Sequence, residues 1–76
     1  MWFYKSKIGT LYIKRRPNGR YGFFYDGECW EDSNTPEAEA ENIRAFSTGC
    51  WDWDKHDRDI NFPYPSDLSE WEYCQT

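Results

Sequence analysis

Residues 21–30 read Tyr-Gly-Phe-Phe-Tyr-Asp-Gly-Glu-Cys-Trp, and this stretch decides the fold. Its Asp26-Gly27 pair lies between Tyr25 and Glu28, and such a pair accepts the positive φ angles of a two-residue type I′ turn. The pattern predicts a β-hairpin in which Tyr25 lies opposite Glu28. Because side chains alternate between the faces of a strand, we expect aromatic rings on both faces of this hairpin.

Strand composition also precedes the hairpin, at residues 3–5 and 10–14. In the second of these runs Leu11 and Ile13 alternate with polar side chains, as they do in a half-buried strand. A Pro-Asn-Gly turn follows, because proline fixes φ and Asn-Gly accepts positive φ. We expect Leu11 and Ile13 to share a face with Phe24 and a helix to cover that face.

The helix is predicted over residues 36–48. Thr35 has the side chain of an N-cap, Pro36 suits the first helical position, and Gly49 is a typical helix end. The predicted fold class is therefore α+β, with a three-stranded antiparallel sheet packed by one helix.

We expect residues 1–76 to form a single domain. Within it, residues 1–49 form the strand-strand-strand-helix unit, and residues 50–76 form an aromatic, acidic C-terminal wrapping segment. The large rings of this segment have enough apolar area to dock on the second face of the sheet. If they do not, that face is left as a binding surface.

Aromatic residues make up 21% of the chain, as five Trp, six Tyr and five Phe. A chain of this length has a thin core, so some of these rings must stay partly exposed. Large rings are enriched at protein interfaces, and their surplus therefore favours a binding function.

Charge is distributed unevenly along the chain, whose formal net charge is −5. All 14 Asp and Glu residues follow Tyr25, whereas residues 1–25 hold most of the Lys and Arg residues and no acid. Either the basic segment folds against the acidic one, or the molecule has a basic face and an acidic face that each steer a partner.

The cysteines indicate a reducing compartment. Cys29, Cys50 and Cys74 are odd in number and lack Cys-x-x-Cys spacing, and the first residues lack the pattern of a signal peptide. No window approaches the ~18 apolar residues of a membrane span. We expect a cytoplasmic protein that does not enter a membrane.

The preferred candidate site is an acidic, aromatic run that offers carboxylates and large rings to a basic protein surface. Its residues are Trp51, Asp52, Trp53, Asp54, Asp57 and Asp59. They predict a small non-enzymatic interaction module, an inhibitor or adaptor with a protein partner. One concrete form is an anti-defence protein of the kind that phages encode.

The alternative is a nucleic-acid-binding module that uses a basic, aromatic hairpin, in which cations neutralise phosphates and rings stack on bases. Its candidate residues are Lys14, Arg15, Arg16, Arg20, Tyr12 and Tyr21. The sequence pI of about 4.7 weighs against it.

Metal binding and catalysis are not expected. The acidic run from Asp52 places Asp57 where a calcium loop needs glycine, and Cys29, Cys50, Cys74 and His56 lack the short ligand pairs of zinc sites. No nucleophile has a suitable base beside it, because the single His lies six residues after Cys50 in a strongly acidic loop. We expect no cofactor.

Two resemblances accompany these predictions. The chain resembles a group of small uncharacterised bacterial proteins through residues 9–13, 19–21, 35–37, 48–49, 53–54 and 65–71. The order of three strands and a helix in residues 10–47 also resembles DNA-binding domains of the plant ethylene-response-factor type, which share the Thr35-Pro36-Glu37 helix start. That second resemblance implies a sheet that reads the major groove, with Lys14, Arg16, Arg20 and Trp30 on the reading face.

Overall fold

The computed structural model describes residues 1–75 and has an antiparallel sheet of five strands in the order β4-β3-β2-β1-β5. The strands are β1 (Trp2–Ser6), β2 (Gly9–Arg15), β3 (Tyr21–Tyr25), β4 (Glu28–Ser33) and β5 (Glu72–Tyr73). The helices are α1 (Pro36–Arg44) and the short α2 (Trp51–Asp54), and a 3₁₀ turn spans Leu68–Glu70. The α+β class is right, but the expected three-stranded sheet is wrong, because β1 and β5 extend it on one side.

The Asp26-Gly27 turn forms as predicted. Asp26 and Gly27 have φ angles of 54° and 80°, and Tyr25 lies opposite Glu28. Beyond Cys29 the register shifts at a bulge, so that Phe23 lies opposite Glu31. A bulge adds one residue to one strand and re-aims the side chains around it.

The predicted pairing of faces is wrong. Ile13 lies opposite Phe23, and Tyr12 lies opposite Phe24. The turn between β2 and β3 spans residues 16–20, an odd number, and this register puts Phe23 rather than Phe24 on the face of Ile13. A shift of one residue would exchange the two faces, which explains how the sequence pattern led to the wrong assignment.

Helix α1 begins as predicted and ends early. The Thr35 hydroxyl oxygen accepts a hydrogen bond of 3.0 Å from the Ala38 amide. The helix ends at Arg44 rather than at residue 48, because Phe46 takes a φ of 55°. In this conformation the Phe46 ring stacks on Trp53, with ring centroids 4.9 Å apart. Aromatic packing thus ends the helix before Gly49.

The core lies between α1 and one face of the sheet. It is completed by aromatic side chains from the C-terminal segment, and the hydrophobic core comprises Leu11, Ile13, Phe23, Ala40, Ile43, Cys50, Trp53, Phe62 and Trp71. Because the segment packs beside the helix, its expected docking on the second face is wrong. In the part of the chain that the structure describes, no helix packs on that face, which we call the open face.

One carboxyl group is buried where α1 meets β4. Glu39 is fully buried, and its Oε1 accepts a hydrogen bond of 3.0 Å from the Ser33 hydroxyl. Burial, together with the neighbouring Glu31 carboxyl, raises the pKa of Glu39 to about 9. Glu39 is therefore protonated in the folded protein at neutral pH.

Candidate functional site

The acidic, aromatic run is in part structural. The Trp53 side chain is fully buried in the core. The Asp54 carboxylate accepts hydrogen bonds from the Thr48 hydroxyl and the Gly49 amide, each at 2.8 Å, and so fixes the loop before α2. Trp53 and Asp54 therefore have structural roles.

The remaining residues of that run face solvent. Trp51 is 72% exposed, and Asp52, Asp57 and Asp59 are exposed as well. Ile60 follows them and is 95% exposed. The structure therefore leaves an acidic surface with two exposed apolar side chains, and sequence reasoning had not included Ile60.

The lone histidine is packed against this surface. The His56 ring stacks on Phe62 with centroids 4.0 Å apart, and its Nδ1 lies 3.8 Å from Asp59 Oδ2. Of the cysteines, Cys50 is buried in the core and Cys29 lies on the open face.

The basic, aromatic candidates divide between the two faces of the sheet. Tyr12 and Lys14 lie on the open face by the alternation of β2. Arg15 and Tyr21 are paired on the other face, where the Tyr21 ring packs against the core. Tyr21 and Tyr12 therefore do not share a surface.

Arg16 and Arg20 are held at the open face by the carboxylate of Asp32. Arg16 Nη1 lies 3.0 Å from Asp32 Oδ2, and Arg20 Nε lies 2.7 Å from Asp32 Oδ1. The hydrogen bond from Arg20 is the main reason that the pKa of Asp32 is lowered. Asp32 lies opposite Gly22 in the sheet, and the two guanidinium groups are held at this end of the open face.

Three aromatic residues form an in-register row across the open face. Phe3 lies opposite Tyr12 and Tyr12 lies opposite Phe24, while Cys29 continues the row on β4. We call Phe3, Tyr12 and Phe24 the aromatic row. Its rings are half-buried and lie outside the core cluster. Sequence reasoning missed Phe3 and Phe24, although the odd length of the turn at 16–20 could have placed Phe24 beside Tyr12.

A lysine lies over this row. The Lys14 ammonium is 5.1 Å from the ring centroid of Tyr12 and 4.9 Å from that of Phe24. These distances are within the range of cation–π attraction. Lys5, on β1, is exposed on the same face, two residues beyond Phe3. The row therefore has cations on both sides along the strands.

Gly22 allows the open face to be closely packed beside the row. A Cβ atom at this position would lie 2.9 Å from Cys29 Sγ and 3.0 Å from both Arg16 Cδ and a ring carbon of Phe24. Only glycine leaves room for the arginine stem to lie flat on the sheet between these side chains.

Few ion pairs connect the basic and acidic parts of the chain. Among the ion pairs within residues 1–75, Asp32 is the one acid that pairs with the basic N-terminal part of the chain, and Lys5 and Lys14 take part in none. Most of the exposed acids lie elsewhere, on α1, on residues 52–59, at the turn of Asp26 and Glu28, and at Asp67. Glu70 and Glu72 are exceptions, because they line a shallow depression with Phe3 and Lys5 at the β5 end of the row.

Residues 1–75 contain no group of three or more His, Cys, Asp or Glu side chains that could hold a metal ion. In the same residues, no helix has the length and apolar character needed to cross a bilayer.

Comparison with models of known families, with curated proteins and with solved structures gives no match.

Proposed function

We propose that this chain is a non-catalytic nucleic-acid-binding protein of the cytoplasm and that it binds through the open face. The observation that carries the proposal is the aromatic row, with Lys14 over it and Lys5 beside it. Rings and cations on one surface match the two parts of a nucleic acid, which are its bases and its phosphates.

The net charge of −5 does not contradict this function, because most of the exposed acids lie away from the aromatic row. Phosphates respond mainly to charges within about a Debye length, which is about 8 Å at physiological ionic strength. The exposed acids of α1 and of residues 52–59 lie on the side of the sheet opposite to the row. They orient the protein so that the open face meets a polyanion first.

A pair of matched double variants tests this function. Lys5→Glu with Lys14→Glu reverses two charges on the open face, whereas Lys55→Glu with Arg58→Glu makes the same change on the acidic side. We expect the first variant to lose at least about tenfold in affinity for an oligonucleotide at low salt, and the second to lose much less. Fluorescence anisotropy measures both affinities, and equal losses would show that overall charge alone governs binding.

A second candidate function is a protein-interaction module, an inhibitor or adaptor, that acts through the acidic surface. The observation that favours it is the 72% exposure of Trp51 beside Asp52, because large exposed rings are typical interface anchors. Since Asp54 is committed to the fold, Asp52→Lys with Asp57→Lys is the appropriate variant. Partners retained by the wild type and lost by this variant should be basic proteins, and mass spectrometry of the captured proteins identifies them.

A further inference from the structure

We propose that the occupant of the open face is a single-stranded nucleic acid whose unpaired bases stack on Phe3, Tyr12 and Phe24. This inference rests on the nucleic-acid-binding function proposed above and specifies its ligand. DNA and RNA strands share the required chemistry of aromatic bases and phosphates, and the two are separated by the experiment below.

The width of the sheet argues against a duplex. The aromatic row lies on β1, β2 and β3, which are the three central strands of the five. Four strand intervals of about 4.8 Å make the sheet about 19 Å wide. The major groove of B-DNA is about 12 Å wide and admits a helix or a two-stranded ribbon. The edge strands would therefore meet the duplex backbones before the central rings reached a base.

The chemistry of the row also favours unpaired bases. Phe3 and Phe24 carry no side-chain hydrogen-bonding group, so they cannot read the base edges that a groove presents. Phe3 and Phe24 can therefore bind a base only by stacking on its face. In a duplex, the faces of each base are covered by the neighbouring bases. In an unpaired strand the bases are free to stack on protein rings in succession.

The arrangement of the row suits successive bases. Neighbouring strands place Phe3, Tyr12 and Phe24 side by side, with about 4.8 Å between adjacent strands. Bases of one strand that stack on adjacent rings would run across the sheet from β1 towards β3. The phosphates would then run alongside the row, where the cations lie.

Lys14 is suited to hold those phosphates. Its ammonium lies over the rings of Tyr12 and Phe24, where a stacked base would displace it. The flexible four-carbon stem of lysine lets the ammonium move to the edge of the base and meet the phosphate. Glu70 and Glu72 line a depression with Phe3 and Lys5 and would repel phosphate there, so the backbone should pass along the Lys14 side.

The test measures fluorescence anisotropy of a labelled single strand of about 12 nucleotides, a length within the range of site sizes of small binding domains. The same sequence as a blunt duplex is the comparison. DNA and RNA versions of the single strand show which of these two nucleic acids binds more tightly. We expect the single strand to bind at least about tenfold more tightly than the duplex.

Aromatic variants locate the stacking. Tyr12→Leu and Phe24→Leu keep an apolar side chain on the open face, and each should weaken single-strand binding by about five- to tenfold or more. Trp51→Leu and Tyr64→Leu make comparable changes at exposed rings away from this face, and they should leave the affinity unchanged. Thermal unfolding of each variant shows whether it folds, and a Tyr12→Phe variant that retains binding excludes a role of the hydroxyl group.

The outcomes separate the two proposals. Duplex binding as tight as single-strand binding, with Tyr12→Leu harmless, would overturn the stacking inference and leave the nucleic-acid-binding function in place. No binding of either probe at low salt would overturn both. Concentration-dependent dimerisation in sedimentation that Phe24→Leu abolishes, with no oligonucleotide binding, would show that a second copy of the chain covers the open face.

Discussion

The indole Nε1 of Trp53 donates a hydrogen bond of 2.8 Å to the carbonyl oxygen of Ile43, in the last turn of α1. That carbonyl is one of the last in the helix, which lack intrahelical partners, and it also accepts a hydrogen bond of 3.0 Å from the Phe46 amide just beyond the helix end. The bond connects the acidic C-terminal segment to the helix end and explains why a tryptophan in so polar a run is buried.

Trp53 and Trp51 make a matched pair for stability measurements, since they lie two residues apart and differ in burial. Trp53→Phe removes the bond to Ile43 and leaves a small void, so we expect the free energy of unfolding to fall by about 2 kcal/mol. Trp51→Phe changes an exposed ring and should stay within about 0.5 kcal/mol. Urea denaturation followed by circular dichroism measures both, and equal effects would contradict the placement of the two rings.

Asp54 and Asp52 give a second pair. Asp54→Ala removes the carboxylate that binds Thr48 and Gly49, and we expect a loss of about 1–2 kcal/mol, as for a lost helix cap. Asp52→Ala alters an exposed carboxylate and should have little effect. The same denaturation experiment measures both variants, and an Asp54→Ala variant as stable as the wild type would show that the loop before α2 does not depend on these hydrogen bonds.

Glu39 makes stability depend on pH. Its pKa is about 9 when folded and 4.5 as an ordinary Glu, so between these values the folded state binds more protons than the unfolded state. Stability should therefore fall as pH rises from about 4.5 to about 9, and change little through this group above that range.

Glu39→Gln removes this titration while keeping an acceptor for the Ser33 hydroxyl. We expect the variant to gain stability relative to the wild type as pH rises, whereas Glu37→Gln, at an exposed position of the same helix, should follow the wild type. Denaturation midpoints across this pH range test the difference. Parallel curves for Glu39→Gln and the wild type would mean that the buried carboxyl ionises without cost.

Glu72 limits the binding that we propose for the open face. Glu72→Gln removes the negative charge beside Phe3 and should raise the affinity for a single strand about two- to threefold at low salt. The gain should shrink as salt screens the charge. Glu37→Gln removes a charge from the opposite side and is the control in the same anisotropy titration. No gain for Glu72→Gln would place the strand away from β5.

Local signals in the sequence were sufficient for the hairpin turn and the start of α1. Asp26-Gly27 and Thr35 act through their own backbone geometry and their immediate neighbours, so each could be predicted from a few residues. The end of α1 could not, because it depends on Phe46 stacking on Trp53, a contact that becomes visible only in the folded chain.

Long-range pairing explains what the sequence did not predict. β5 has two residues and therefore shows no alternation from which a strand could be recognised. The open face was misassigned because its composition depends on register, and one residue decides whether Phe23 or Phe24 faces the core. The basic candidates could be identified from composition. Phe3 could not, because its place beside Tyr12 depends on the pairing of β1 with β2.

The pairing of β5 with β1 bears on how fast the protein folds. Strands β1 to β4 follow one another as neighbours in the sheet, whereas Met1 and Cys74, which exchange backbone hydrogen bonds, are 73 positions apart in the chain. Closing so long a loop costs entropy that near-neighbour pairing does not. The four-strand meander should therefore form in the transition state, and β5 should dock afterwards. Weakening β5 would then speed unfolding while leaving the folding rate almost unchanged.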